Sequence, residues 1–224
     1  MGQGLGFLAA LAWILMLLTG VIRFLACNGP AMKGLMERYA PSEQTLLPER
    51  EYAGMATMIT DFLAGREEIF QYTFTDETGI DRISFHDYEQ THMEDCRQLI
   101  RLDETVLGIS AALTAAFLLS GGLLGKRKAL TGGIKVGLIT GTLLLLTLIG
   151  IAVGDFDGLF IRFHLTAFSN DLWLLDPRTD LLIRLMPTKF FQTYGILGGA
   201  FMGAGLTVSL VIALLAGKEK RQRI

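Results

Sequence analysis

Two cysteines, three histidines and five prolines are spread over 224 residues, and each scarcity removes a class of protein. Cys27 and Cys96 do not have the spacing of zinc ligands. With histidine at only positions 86, 92 and 164, the apolar stretches carry no histidine pair for haem. The chain has no G-x-S-x-G elbow, no H-E-x-x-H and no phosphate-binding glycine loop, so it lacks the marks of the α/β-hydrolases, the zinc peptidases and the P-loop enzymes. Basic clusters are small and flank apolar stretches, which argues against nucleic-acid binding.

What is abundant is apolar: 51% of residues are hydrophobic, 26 are glycine, and the mean hydropathy is +0.44. A bilayer core takes about 20 mostly apolar residues per helix. Four stretches qualify, residues 4–27, 106–124, 134–153 and 194–216. The fold class expected is an all-α membrane protein, a four-transmembrane-helix bundle with a small extracellular cap of helices and one short β-hairpin. The first stretch ends in "FLAC", but it has no cation before Arg23 and is long for a signal peptide, so it reads as a transmembrane helix and not as a lipoprotein signal.

Charge sets the expected orientation. The loop 125–133 together with Lys135 holds four cations and no anion, and the tail 217–224 holds four cations against one anion. Both therefore read as cytoplasmic. With four spans the N-terminus is cytoplasmic too, and residues 28–104 and 154–193 face outward. Residues 28–104 hold seven Lys/Arg against sixteen Asp/Glu, a net charge of −9, so the total of −2 conceals a polarised chain. The two cysteines fall on the outer side, where a disulfide is chemically possible; two unpaired thiols are the stronger expectation. No charge sits mid-span, which disfavours an ion pathway. Glycines recur every four residues at 133, 137 and 141, at 195, 199 and 203, and at 121 and 125, a spacing that lets helices approach closely.

Within 28–104, a helix is expected from Pro48 to Gly65, a hairpin from "IFQYTFT" and "IDRISF" around the "DETG" turn, and a helix opened by Ser84 and Asp87 as a capping box. On that last helix His92 shares a face with Tyr88, Glu89, Asp95 and Cys96. Running straight into the second span, it would lift His92 about 20 Å above Val106. A break at 102–105, with Asp103 or Thr105 capping a new helix, is therefore expected. In 154–193, Asp157 is expected to cap a short helix through Phe168, and Asp176 with Pro177 to open a second one ending before Pro187.

His86 reads as a surface residue. His92 and His164 come from different outer segments and can meet where those segments join. Histidine suits proton transfer near neutral pH. His164 is surrounded in sequence by Phe160, Phe163, Phe168 and Trp173, which would disfavour its charged form, and Asp95, Asp157 and Asp171 are the carboxylates able to orient an imidazole. An ordinary structural role for an interfacial histidine stands beside this reading. No cofactor and no metal are expected: two histidines plus Asp95 could make a metal site, but nothing in the sequence singles out Asp95 as its third ligand.

Two motifs add a resemblance. "THMEDCRQLI" at 91–100 contains H-M-x-D, and "RFHLTAFSNDLWLLDP" at 162–177 contains F-H-x-x-x-F-x-N-D-x-W, with "LMPTKFF" following. Together with the four-span layout these resemble a family of small bacterial membrane proteins that includes the lipoprotein intramolecular transacylases. Cys96 stands where an aliphatic residue is expected. The resemblance implies an acyltransferase of the bacterial cytoplasmic membrane, acting on a diacylated lipoprotein in contact with membrane lipid. It implies catalytic roles for His164 and His92, with Asp95, Asn170 and Trp173 as accompanying motif residues. A non-enzymatic membrane accessory protein, or another lipid acyltransferase using the same histidines, are the alternatives.

Overall fold

The computed structural model describes residues 2–76 and 78–218; the tail 219–224, on which part of the charge argument rests, lies outside the described residues. Nine α-helices and one two-stranded antiparallel sheet are present among them: α1 Gly2–Ala26, α2 Gly29–Tyr39, α3 Ser42–Thr45, α4 Tyr52–Leu63, β1 Thr73–Thr75, β2 Asp81–Ile83, α5 Asp87–Leu123, α6 Arg127–Gly154, α7 Phe156–Ala167, α8 Leu181–Leu185 and α9 Thr188–Lys218. Four of them, α1, α5, α6 and α9, are long and apolar enough to cross a membrane. The chain divides into two units, one of residues 1–22, 103–154 and 197–224, the other of residues 23–102 and 155–196.

The first unit is a bundle of long helices. Its tightest approach is α1 on α6: a side chain at Gly6 would strike the Leu130 carbonyl, and one at Gly133 would strike the Gln3 carbonyl. Gly137 then meets Ala10, and Gly141 meets Ile14. Helix backbones reach this distance only where the intervening residues are small. Trp13 Nε1 donates to Ser209 Oγ at 2.8 Å, tying α1 to α9. Ala10, Leu138, Leu206 and Ala213 are buried between the helices, while Leu119, Leu144, Val208 and Ile212 are exposed, a surface suited to lipid. The 195–199–203 stripe is not a close contact. Gly203 has nothing near it and Gly199 only ordinary contact with Ile149; it is Gly205 that lies against Leu17, because the inward face of α9 is set by Met202, Leu206, Ser209 and Ala213.

The second unit has its own core. Met32, Leu35 and Met36 of α2 face Met55, Ala56, Ile59, Phe62 and Leu63 of α4, each set at helical spacing. Phe70, Phe74, Phe85, Met93, Leu182, Leu185 and Phe190 complete it. Asn28 caps α2 by accepting from Ala31 N at 2.9 Å, with Pro30 in the first turn. The Pro48–Gly65 helix is present as a 3-10 turn at Glu49–Glu51 followed by α4, and the hairpin pairs Thr73 with Ile83 and Thr75 with Asp81.

The expected break at 102–105 is absent: α5 is one helix from Asp87 to Leu123. Residues 102–105 contain no glycine or proline, and a cap at Asp103 would forfeit hydrogen bonds that simple propagation keeps. At 37 residues the helix is about 55 Å long, well beyond a hydrocarbon core. Its apolar, membrane-compatible stretch begins after Asp103 and Glu104, so residues 87–101 lie outside the spanning segment. A Schellman motif ends it, with Lys126 N bonded to the Gly121 carbonyl, Gly125 N to the Gly122 carbonyl, and Gly125 at φ +66°, a conformation that glycine adopts without penalty.

Candidate active site

The second unit brings the two motif histidines together. Helix α5 starts with His86 as N-cap, since Gln90 N bonds to the His86 carbonyl at 3.0 Å. The expected Ser84–Asp87 box does not form, because Ser84 Oγ is committed to the Tyr72 carbonyl across the hairpin. The box is made instead by Glu89, which accepts His86 N at 2.8 Å through one oxygen and Leu182 N at 2.8 Å through the other. Glu89 is completely buried. Burial pushes its carboxyl above the ordinary value, and the two backbone donors resist that shift. Beside it Tyr88 donates to Asp180 Oδ1, and Asp180 also accepts from Thr179 Oγ1 and Asp176 N. This joins the start of α5 to the start of α8. Asp176 folds a turn with Arg178 instead of opening a helix, so α8 is one short helix beginning after Asp180.

One turn along α5 from Glu89 stands His92, and one turn further Cys96. Helix α7 is capped by Asp155, which accepts Gly158 N at 2.8 Å, and not by Asp157. His164 lies in its last turn, closed by Phe168 N bonding to the His164 carbonyl at 2.9 Å. Asn170, in the turn that follows, donates to Asp95 Oδ2 at 2.9 Å and accepts Leu172 N at 3.1 Å, so it ties the exit of α7 to α5. With both segments in one unit, no bend in α5 is needed for the histidines to meet.

The rings of His92 and His164 have centroids 6.1 Å apart, and both residues are buried. Phe160 lies 4.2 Å from His164, Trp173 5.0 Å, Phe163 5.3 Å and Phe168 5.6 Å, and Phe168 is also 5.0 Å from His92. Phe163 is itself half exposed. His164 Nδ1 is 2.7 Å from the Phe160 carbonyl. A carbonyl only accepts, so Nδ1 carries the proton and Nε2 presents its lone pair. His92 Nε2 is 3.7 Å from Cys96 Sγ, while its buried Nδ1 has no hydrogen-bond partner among the described residues.

Burial dominates the electrostatics. It pushes His92 down to about 4, helped by the charge His164 would carry and opposed by Asp95. It lowers His164 as well, against the Phe160 hydrogen bond. Both imidazoles are therefore neutral at pH 7, buried side by side among aromatic rings. The Cys96 thiol is pushed up to about 12, by burial first and by Asp95 second, and no disulfide forms among the described residues. Asp157 and Asp171 are exposed. Among the described residues neither carboxylate bonds to an imidazole; Asp157 is two turns from His164, about 10 Å along the helix. His86 is exposed and stacked on Tyr88. Among the described residues no three His, Cys, Asp or Glu side chains converge as metal ligands.

Four candidate spans define a multi-pass membrane protein, and its second unit holds a neutral imidazole pair walled by aromatic rings. The sequence profile of the lipoprotein intramolecular transacylase Lit matches residues 7–191. The chain belongs to that family, and so is an acyltransferase acting on lipoprotein substrates. Its structure is similar to that of the membrane-integral lipoprotein intramolecular transacylase Lit from Bacillus cereus, with a TM-score of 0.81 over 99% of this chain and 98% of that one at 15% identity. Variants of that protein with a histidine replaced by arginine or by alanine give TM-scores of 0.76 and 0.74, also at 15% identity, over 100% and 99% of this chain and 95% and 96% of theirs. These likenesses establish a shared fold. No curated protein matches in sequence.

Proposed function

We propose that His164 is the general base and proton shuttle of an intramolecular acyl transfer, and that His92 is its electrostatic partner. The substrate is a diacylated lipoprotein whose N-terminal cysteine carries diacylglyceryl on sulfur. Its α-amine attacks the sn-2 ester carbonyl of its own lipid. The amine proton passes to His164 Nε2 and then to the departing glyceryl oxygen as the ester C–O bond breaks. The products are an amide on the cysteine nitrogen and a free glyceryl hydroxyl, with no net proton consumed. Because both reactants sit on one molecule, the entropic cost of bringing them together is largely removed, and no acyl-enzyme is required. The amide of Asn170 donates one hydrogen to Asp95 and has a second for the developing oxyanion. Phe160, Phe163, Phe168 and Trp173 wall the pocket. The cationic link between α5 and α6 favours cytoplasmic termini and a site on the outer face.

The observation that carries this reading is the His92–His164 pair, whose ring centroids are 6.1 Å apart, close enough for both imidazoles to reach the atoms of one bound ester at hydrogen-bond distance. The test is to incubate purified protein with a defined diacyl lipopeptide and read product fragment ions for an acyl group on the cysteine nitrogen. Wild type is expected to move the acyl chain. His164→Gln should lose about 100-fold or more of the rate while still folding, and His92→Gln should also lose rate. Full activity in either variant contradicts the assignment.

A further inference from the structure

Resting on the reading of His92 and His164 as the acid–base pair, we propose that Cys96 is a positioning residue: its thiol donates to His92 Nε2 and fixes His92 as the Nδ1–H tautomer, a hydrogen-bond donor facing the reaction. The thiol and the imidazole stand one turn apart on α5 with Sγ 3.7 Å from Nε2. A neutral thiol is a weak donor but a poorer acceptor, whereas a neutral imidazole nitrogen accepts well. The thiol stays protonated in this buried setting, so the hydrogen lies on sulfur and the lone pair on Nε2. The ring proton is then left on Nδ1.

That nitrogen is the second observation. His92 is 6% exposed, yet Nδ1 meets no partner among the described residues. A buried, unpartnered donor is costly unless something arrives to accept from it. The ester carbonyl oxygen, which gains charge on attack, is such an acceptor. His164 is held in the opposite sense, with Nδ1–H on the Phe160 carbonyl and the lone pair therefore on Nε2. The two rings are thus a matched pair, one presenting N–H and the other a lone pair. The local chain, and not the substrate, decides which is which.

The test combines 15N spectra of the histidine rings in detergent-solubilised full-length protein with turnover of the diacyl lipopeptide, for wild type, Cys96→Ser and Cys96→Ala. Wild type is expected to show His92 protonated on Nδ1, assigned by its loss in His92→Gln. Cys96→Ser keeps that tautomer, since a hydroxyl is a stronger donor. Cys96→Ala returns the proton to Nε2 and lowers kcat about 2–10-fold with KM unchanged. Unshifted His164 resonances report intact folding in each variant. His92 protonated on Nε2 in wild type overturns the proposal, as does an alanine variant with the wild-type tautomer and kcat. The ring spectra are readable with no substrate, so a failure of acyl transfer itself is told apart from a failure of the tautomer assignment.

Discussion

His92 is pushed well away from the ordinary histidine value, and the consequence is a dependence on pH. Its folded value is about 4, against about 6.5 for a free histidine. Between those values the unfolded chain binds the proton and the folded chain does not, so stability is full above pH 6.5 and falls as the pH drops towards 4. The loss over that window is roughly 3 kcal/mol. Thermal unfolding in detergent should therefore shift to lower temperature from pH 7 to pH 4.5 in wild type, and distinctly less in His92→Gln. An equal shift in both would place the acid sensitivity elsewhere. At this scale the sequence was informative where residue type alone decides: Phe160, Phe163, Phe168 and Trp173, near His164 in sequence, also stand around its ring. It was uninformative where a single hydrogen bond decides. Asp155 and Asp157 are equally good caps on paper, and only the start of α7 chooses between them.

Glu89 is the clearest case of an element-scale role that the sequence concealed. Glutamate is seldom buried unpaired, and beside Tyr88 and Asp95 it reads as one more residue of a polar face. The signal was its place three residues after His86, the N3 position of a helix that begins at Asp87; crediting Ser84 with the cap obscured it. Its carboxylate holds two backbone donors, His86 N and, 93 positions along the chain from Glu89 itself, Leu182 N. Glu89→Ala should cost about 1–3 kcal/mol for each donor left unpaired, seen as a lower unfolding temperature. Glu89→Gln retains one acceptor and should fall between alanine and wild type. A wild-type unfolding temperature in Glu89→Ala contradicts the staple. The helix break failed for a related reason. It was inferred from where His92 had to go, while residues 102–105 hold nothing that stops a helix, and the partner histidine is carried to His92 by its own segment.

At the scale of the whole molecule, hydropathy made the four long helices plain: α1, α5, α6 and α9 are each long and apolar enough to cross a membrane. The chain also divides into a bundle and a second unit with its own core, and most of the acidic residues of 28–104 fall in the second unit. Glycine spacing was legible for α6 and misleading for α9, because a repeat of four marks a possible face and cannot say which face meets a neighbour. The central claim also belongs to this scale: a membrane protein without a nucleophile motif moves an acyl chain because its substrate holds both reacting groups, and two neutral imidazoles suffice for the proton. The most direct test is a crossover experiment. Two diacyl lipopeptides, distinct in peptide mass and in the isotope of the sn-2 chain, are turned over together and the N-acyl products are weighed. Every chain should remain on its own peptide. Products that pair one peptide with the other's chain would show an acyl-enzyme or intermolecular transfer, and would contradict the account.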